Sequence, residues 1–415
     1  MPRISHRARE AYRSPIRELE DEAAAAKTRG THVLHLNIGQ PDLATPPAAW
    51  EALRDFAAGD VLAYGPARGL VSYRSALVRY YAGWGVDLDI EDLNVTTGAS
   101  EALWLAVNAI ADPGDAVVVP EPFYALYNGF LQLAEIAVRP VATTLAEAFA
   151  LPAPDAIEAA VDERTRAIVL CNPSNPTGQV YTAEALAAIG EIAERHDLYV
   201  IVDEVYREFV YDGLTFTSAL AIPSLRRRAV VIDSVSKRYS ACGARIGSIA
   251  CRDRDLMLAV TRLSRFRLCP PTIGQHLCER ILTVEDDYLP RALAEYDRRR
   301  EVLYAGLSAI EGVRCYRPRG AFYCFAELPV DDTDAFARWL LTDFAHEGAT
   351  VMLAPGAGFY ATPGRGKREV RIAYVLNEHD LRRALECLRM GLAAWAGREG
   401  ASSVHDTGSA TAGVS

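Results

Sequence analysis

The chain has 415 residues, half of them hydrophobic and 24% charged, which is the balance of a globular protein with a large buried core. Its net charge of −10 and pI near 5.4 argue against a nucleic-acid partner, because binding to phosphate backbones requires a concentrated basic surface. The sequence has no run of about 18 apolar residues, so we predict neither a membrane-spanning helix nor a membrane partner.

The eight cysteines are scattered, with no Cys-x-x-Cys pair and no spacing typical of a metal site. Several, such as Cys171 and Cys324, lie within apolar runs, where cysteine behaves as a small hydrophobic residue. This usage fits a reducing cytoplasm better than a disulfide framework, and the N-terminus lacks the apolar segment of a signal peptide. We therefore predict a cytoplasmic protein that binds no metal.

Residues 8–30 are rich in alanine, glutamate and arginine and are predicted to form a helix. Beyond them, short apolar runs alternate with stretches of helical periodicity, such as 100–111 and 183–196. The strand candidates are Asn94–Thr97, Ala116–Val119, Glu135–Val141, Ala167–Cys171, Tyr199–Asp203, Ala229–Asp233 and Gly247–Cys251. This alternation predicts an α/β fold whose large domain has a mostly parallel seven-stranded sheet in three α/β/α layers.

A long charged helix is predicted over residues 286–309, and a second α/β portion follows it. We assign residues 46–310 to the large domain, residues 311–396 to a C-terminal small domain, and residues 1–45 to an N-terminal arm that also contributes to the small domain. The small domain is thus expected to be an α/β unit built from both chain termini. Residues 397–415 are rich in Gly, Ser, Ala and Thr and are predicted to be disordered.

Unusual polar motifs stand at the carboxyl ends of four predicted strands. They are Thr97-Gly-Ala-Ser-Glu101, Asn172-Pro-Ser-Asn175-Pro-Thr-Gly178, Asp203-Glu-Val-Tyr206 and Ser234-Val-Ser-Lys237. In open parallel sheets, ligands bind outside the carboxyl ends of the strands. We therefore expect motifs from distant parts of the sequence to converge on one cleft.

Lysine is almost absent, since the 44 basic residues include only Lys27, Lys237 and Lys367. Lys27 and Lys367 stand in segments typical of a solvated surface. Lys237 follows an apolar run and precedes Gly243-Ala-Arg245-Ile-Gly247, a pattern that suggests a Schiff-base lysine beside an anion-binding loop. Unlike arginine, a lysine amine can lose its proton when desolvated and condense with a carbonyl. Taken alone, Lys237 also fits an exposed loop lysine.

These motifs and the later Arg371-Ile-Ala-Tyr, in this order and at this spacing, resemble the fold-type I pyridoxal-phosphate enzymes. The resemblance is specifically to the class I/II (aspartate aminotransferase-like) aminotransferases and spans roughly residues 32–395. It implies an enzyme of amino acid metabolism that uses pyridoxal 5'-phosphate (PLP). Such an aminotransferase moves an amino group between an L-amino acid and a 2-oxo acid with ping-pong kinetics.

The resemblance also implies the residues that hold and use the cofactor ring. Lys237 is the Schiff-base lysine and shuttles a proton between the substrate Cα and the cofactor C4′, while Asp203 keeps the ring nitrogen protonated. Asn175 and Tyr206 bind the 3′-oxygen, and Tyr124 stacks on the ring. Simpler interpretations are a helix N-cap for Asp203, turn formation for Asn175 and core packing for Tyr124.

For the phosphate, the resemblance implies the backbone amides of Gly98, Ala99 and Ser100 at a helix N-terminus and the side chains of Ser234, Ser236 and Arg245. The family also takes a phosphate ligand from the neighbouring subunit, and Tyr64 matches it. We therefore expect an obligate homodimer with shared active sites.

For the amino acid substrate, Arg371 matches the arginine that clamps the α-carboxylate, with Asn175 and the backbone at Gly39 nearby. An arginine in a strand is otherwise usually a salt-bridge partner. The family commonly has an acid where this chain has Gln40, and we attach no function to that difference. Arg267, in a segment that begins at Arg265, either meets an acidic substrate side chain or pairs with an acid at the dimer contact. Acidic, aromatic and unusual donors all remain open.

Two other functions are compatible with parts of the pattern. The same residues support β- or γ-elimination and other PLP reactions, since substrate pose decides which bond breaks. A transcription regulator with an aminotransferase-like domain is disfavoured by the acidic pI and by the short segment before Gly39, which is too short for a DNA-binding domain.

Overall fold

The computed structural model describes residues 2–55, 61–284 and 287–406. Its strands are β1 His32–His35, β2 Leu93–Thr96, β3 Ala116–Glu121, β4 Ala137–Ala142, β5 Thr165–Cys171, β6 Tyr199–Asp203, β7 Ala229–Ser234, β8 Gly247–Ala250, β9 Arg314–Cys315, β10 Tyr323–Glu327, β11 Ala349–Met352, β12 Ala354–Pro355 and β13 Glu369–Ala373. Its helices are α1 His6–Arg9, α2 Glu20–Thr28, α3 Pro47–Asp55, α4 Val71–Ala82, α5 Gly98–Ile110, α6 Leu126–Leu133, α7 Pro154–Glu158, α8 Ala183–Arg195, α9 Val235–Arg238, α10 Arg254–Ser264, α11 Thr272–Thr283, α12 Tyr288–Ser308, α13 Thr333–Thr342 and α14 Glu378–Asp406. None of these helices is both long enough and apolar enough to cross a membrane.

The large sheet has seven strands in the order β2-β8-β7-β6-β5-β3-β4. Strand β8 is antiparallel to both of its neighbours, β2 and β7, and the other four pairs are parallel, which confirms the predicted mostly parallel sheet. The strands are apolar because both faces of the sheet are covered. Val200 and Val202 of β6 pack into the hydrophobic core on one face, whereas Ile201 packs into a separate core on the other. The predicted three α/β/α layers are therefore present.

The small domain combines both ends of the chain, as predicted. Strand β1 pairs in parallel with β11, while β12, β13, β10 and β9 form a four-stranded antiparallel sheet. Leu34 and Leu36 from the N-terminal part share one hydrophobic core with Phe322, Val351 and Ile372. Strand β1 therefore places the loop that follows it, including Gly39, at the junction with the large domain.

The ends of the chain differ in part from the predicted elements. The helix predicted over residues 8–30 is confined mainly to α2, because Pro15 disfavours helical backbone at Ser14, whose carbonyl instead accepts the Arg17 and Glu18 amides in a turn. At the other end, α14 continues to Asp406 and includes residues 397–406, which contain the good helix formers alanine, glutamate and arginine. The rest of the predicted disordered tail lies outside the described residues.

Candidate active site

The carboxyl ends of β5, β6 and β7 open into a cleft of about 490 Å³ between the large sheet and the small domain. The four motifs at the strand ends meet there. The predicted site residues that line the cleft are Gly39, Ala99, Ser100, Tyr124, Asn175, Asp203, Tyr206, Ser234, Ser236, Lys237, Arg245 and Arg371. Gly98 lies directly behind the cleft wall, and Tyr64 lies outside the cleft of its own chain.

Lys237 lies in the cleft, whereas Lys27 and Lys367 are exposed. The short helix α9 carries Lys237 directly after β7, and the Ser234 hydroxyl caps this helix by accepting the Ser236 amide at 3.2 Å. The half-buried Lys237 Nζ donates to the Gly39 carbonyl at 2.8 Å. A lysine of the large domain is thereby held against a loop of the small domain, with its amine facing the cleft.

Asp203 is the last residue of β6 and is buried. Its carboxylate accepts hydrogen bonds from the Val205 amide at 3.2 Å and from the Tyr127 hydroxyl at 3.3 Å. Burial raises the pKa of Asp203 to about 6, because the charged form loses its hydration. A cationic group placed against this carboxylate would favour its charged form.

Two tyrosines and a glycine fit closely at the centre of the cleft. The hydroxyls of Tyr206 and Tyr323 are hydrogen-bonded at 2.8 Å, and both tyrosines are buried. A Cβ on Gly39 would lie 1.8 Å from the Tyr323 hydroxyl oxygen, so any larger residue there would displace this tyrosine. Tyr124 contacts the ring of Tyr127 edge-on, with ring centroids 5.6 Å apart.

An anion site forms where α5 begins. Gly98 has a φ of +75°, and a Cβ there would lie only 2.3 Å from Arg245 Nη2, so glycine lets the guanidinium reach the helix N-terminus. Arg245 donates to the Thr97 carbonyl at 3.4 Å. The hydroxyls of Ser234 and Ser236 are 2.8 Å apart beside it. One helix N-terminus, one guanidinium and two hydroxyls together are suited to a phosphate group.

Arg371 lies on β13 and is buried, with its guanidinium 4.6 Å above the Tyr323 ring and 5.1 Å from the Phe359 ring. It donates to Asn175 Oδ1 at 3.1 Å and to the Asn37 carbonyl. Among the described residues, no carboxylate lies within ion-pair distance of it, and its Nε has no hydrogen-bond partner. A buried cation without a counter-ion is costly, so this geometry favours an anionic ligand over a structural salt bridge.

Arg267 pairs with an acid of its own chain. Its Nε donates to Glu101 of the same chain at 2.7 Å, and its two other nitrogen atoms donate to the Ala67 and Val95 carbonyls at 3.1 and 2.7 Å. It therefore ties the first turn of α5 to β2 and to the loop at Ala67, with a hydrogen bond from each of its three guanidinium nitrogen atoms.

Several cleft residues were missed by the sequence analysis. Tyr127 lies one helical turn after Tyr124, and this spacing could have identified it. Tyr323 lies in an apolar strand where nothing distinguishes it from core residues. The arm residues Ser14, Ile16 and Arg17 also line the cleft, and no motif marks them.

Comparison with known proteins gives a consistent result. The family model described as aminotransferase class I and II matches residues 31–388. Aspartate aminotransferase of Rhizobium meliloti is 32% identical, covering 90% of this chain and 92% of the relative. Aspartate/prephenate aminotransferase of Thermus thermophilus is also 32% identical, covering 88% and 92%. The structure of Thermus thermophilus aspartate aminotransferase with maleate matches with a TM-score of 0.85 and 30% identity, covering 94% of this chain and 100% of that one.

Proposed function

Because the chain belongs to the class I and II aminotransferases, we propose that Lys237, Asp203 and Arg371 carry out its transamination in the cleft described above. The observation that carries this proposal is the meeting of the Lys237 amine, the buried Asp203 carboxylate and the buried Arg371 guanidinium, which has no counter-ion among the described residues. These groups come from α9, β6 and β13. The names of the relatives, aspartate and aspartate/prephenate aminotransferase, support an acidic amino donor with a 2-oxo acid as acceptor.

Enzymes of this family use PLP, and the residues of the cleft fit it. The site at the start of α5 suits its phosphate, Asp203 suits a protonated ring nitrogen, and Lys237 suits its aldehyde. Asn175 and Tyr206 are proposed to hold the ring oxygen, with Tyr124 against the ring face. When bound, PLP supplies an aldehyde that condenses with amines and a ring that withdraws electrons from the substrate Cα.

Lys237 is proposed to move the proton at the substrate Cα. The Gly39 carbonyl accepts a hydrogen bond from Nζ at 2.8 Å, which fixes the amine at the junction of the two domains. A positioned amine that gives and takes a proton accelerates such a step by about 10²- to 10⁴-fold. Tyr206 and Tyr323 line the same cleft, with their hydroxyls hydrogen-bonded at 2.8 Å.

Arg371 is proposed to orient the substrate by holding its α-carboxylate. The planar guanidinium can bind two carboxylate oxygens at once, and Asn175 and Asn37 keep its plane fixed. The substrate Cα is thereby presented to Lys237, which faces the same cleft. Orientation of this kind contributes to the rate as well as to affinity.

Replacing Arg371 with leucine is expected to raise KM for the amino donor by about 10²-fold, because a charge-assisted double hydrogen bond is lost. Arg371→Lys should recover only part of this loss, since an ammonium lacks the planar fork. Steady-state kinetics over a range of donor concentrations would measure both. A KM that stays at the wild-type value in Arg371→Leu would remove the carboxylate clamp from the proposal.

We further propose a homodimer in which Tyr64 completes the partner's site. Two segments, residues 61–64 and 266–268, present apolar side chains that are more than half exposed. These side chains are Val61, Leu62, Tyr64, Phe266 and Leu268. The two parts of this surface are neighbours, because a Cβ on Gly65 would lie 4.0 Å from the Cβ of Cys269. An exposed apolar surface of this kind supports subunit contact. Light scattering should give the mass of two chains, and a monomer would refute the dimer.

We propose a cytoplasmic location for this protein because of the state of its cysteines. All eight are free thiols, and five of them are buried. Buried free thiols fit a reducing compartment.

The test of the proposed function is a half-reaction with the purified enzyme loaded with PLP. A panel of single amino acids, with acidic ones first, is mixed with enzyme in the absence of any acceptor. Ping-pong transamination predicts one equivalent of 2-oxo acid per active site and a spectral change that an added 2-oxo acid reverses. Continuous release of ammonia, or turnover without an acceptor, would show an elimination instead. A protein that takes up no PLP would refute the proposal.

A further inference from the structure

The cleft contains a cation that the proposed function does not use. We propose that Arg17, on the N-terminal arm, binds the side-chain carboxylate of a dicarboxylic amino donor and thereby sets the donor preference. This inference rests on the proposed function, because it assigns the part of the cleft that selects the substrate.

The charges that line the cleft are unbalanced. Among the described lining residues, Arg17, Lys237, Arg245 and Arg371 are cationic and only Asp203 is acidic. The proposed function gives Arg245 to the phosphate, Arg371 to the α-carboxylate and Lys237 to the proton transfer. Arg17 is the cation that remains, and a second carboxylate on the substrate would supply its counter-ion.

Hydrogen bonds connect Arg17 to the proposed α-carboxylate clamp. Arg371 donates to the Asn37 carbonyl, and the side-chain amide of Asn37 donates to the Ile16 carbonyl at 2.6 Å. Asn37 is completely buried, so these bonds are shielded from water. The residue before Arg17 is thus linked through Asn37 to Arg371, and both arginines line the same cleft.

The arm is also anchored on its other side. The Tyr12 amide donates to Gln132 Oε1 on α6 at 2.9 Å, and the Tyr12 hydroxyl donates to the Gly358 carbonyl of the small domain. Gln132 in turn donates to the Glu10 carbonyl at 2.8 Å. Because the arm contacts both domains just before Arg17, this residue occupies a defined place in the cleft wall.

The Arg17 guanidinium is free to exchange its present ion-pair partner for a substrate carboxylate. Its side chain is 68% exposed, and its ion-pair partner is Glu20, one helical turn away, at 2.9 Å. Exposed pairs of this type contribute little to stability, so exchange of Glu20 for a substrate carboxylate has a small cost. A guanidinium can bind such a carboxylate through two nitrogen atoms.

Other lining residues make Arg17 decisive for specificity. Ile16, Leu103, Leu126 and Phe130 are apolar, and Gln40 is neutral. Without Arg17, these side chains would favour an apolar donor. With Arg17, the cleft can attract a second carboxylate while its apolar wall contacts the aliphatic part of the substrate.

The test compares acidic donors with their uncharged amides in the PLP-loaded enzyme. For Arg17→Gln, kcat/KM with aspartate or glutamate should fall about 10- to 100-fold, the range expected for a lost hydrogen bond to a charged group, while kcat/KM with asparagine or glutamine should change little. Inhibition by maleate, a dicarboxylate without an amino group, should weaken in parallel. Arg13→Gln is the matched control, because Arg13 lies on the same arm and is 82% exposed but does not line the cleft.

A second variant tests the same assignment in the opposite direction. Glu20→Gln removes the carboxylate that competes for Arg17, so KM for acidic donors should fall several-fold and KM for the amides should not change. An acid-to-amide ratio that is unaltered in Arg17→Gln, or reduced equally in Arg13→Gln, would overturn the inference. A wild-type enzyme that transaminates apolar donors better than acidic ones would also overturn it. If no donor is transaminated at all, the proposed function itself fails.

Discussion

Replacement of Lys237 with alanine should lower transamination by at least about 10³-fold while leaving the fold intact. The side chain is half-buried, and its Nζ makes one hydrogen bond, to the Gly39 carbonyl, so its removal costs the structure little. The reaction loses the amine that is proposed to move the proton at the substrate Cα. Initial rates with the best donor, together with circular dichroism to confirm folding, would measure the effect.

The chain provides its own controls, because Lys27 and Lys367 are its other two lysines and both are exposed. Alanine at either position should leave the rate within about twofold of the wild type, as expected for surface substitutions. Borohydride reduction of the PLP-loaded enzyme, followed by peptide mapping, should attach the cofactor to Lys237 alone. Attachment to another lysine, or a wild-type rate in Lys237→Ala, would remove Lys237 from the mechanism.

The large domain could be predicted because its signals are local. The strands are continuous apolar runs buried on both faces of the sheet, and each polar motif follows one of them directly. Parallel strands bring their carboxyl ends to one edge, so the meeting of Asn175, Asp203 and Lys237 follows from topology. The scarcity of lysine is a further signal, since it makes Lys237 unusual by residue type alone.

The parts that could not be predicted depend on contacts between distant segments. Tyr323 is an ordinary strand residue until β10 places its hydroxyl 2.8 Å from that of Tyr206. Arg17 enters the cleft wall only because Asn37 and the arm contacts hold it there. The role of Arg267 was left open from the sequence, and its pairing with Glu101 depends on how α5 packs against α10, which Arg267 follows. Residue type and spacing carry no information on such pairings.

Asp203 and Asp233 show how environment separates two similar side chains. Asp203 is the last residue of β6, Asp233 is the residue before the last of the neighbouring β7, and both are buried. Burial alone would raise the pKa of Asp233, but Arg207 and Arg238 together hold it below its ordinary value. In the part of the chain that the structure describes, no guanidinium forms an ion pair with Asp203, and burial raises its pKa to about 6. The unpaired carboxylate is the one that faces the cleft, where a bound cofactor can supply the missing positive charge.

Replacement of Asp203 with asparagine should reduce the rate by about 10³-fold, because a neutral amide does not favour a protonated ring nitrogen. Asparagine keeps the size of the side chain and can still accept the Val205 amide hydrogen bond. The loss should appear mainly in kcat, since Asp203 is proposed to hold the cofactor rather than the amino donor. An unchanged kcat would remove the role assigned to Asp203.

The same substitution is expected to stabilise the cofactor-free protein, and the sign follows from the pKa. An aspartate with a pKa of 3.8 when unfolded and about 6 when folded destabilises the folded state increasingly between these pH values. Above pH 6 the full cost is about 3 kcal/mol, from 1.36 kcal/mol per pKa unit. Urea unfolding of the cofactor-free proteins at pH 8 should therefore show Asp203→Asn as the more stable, with the difference lost near pH 4.

Addition of PLP should reverse the order of stability of the two proteins, because only the wild type gains an ion pair with the ring nitrogen. Equal stabilities of the cofactor-free proteins at pH 8 would mean that the Asp203 carboxylate is not strained by burial and is not held ready for a cationic ligand.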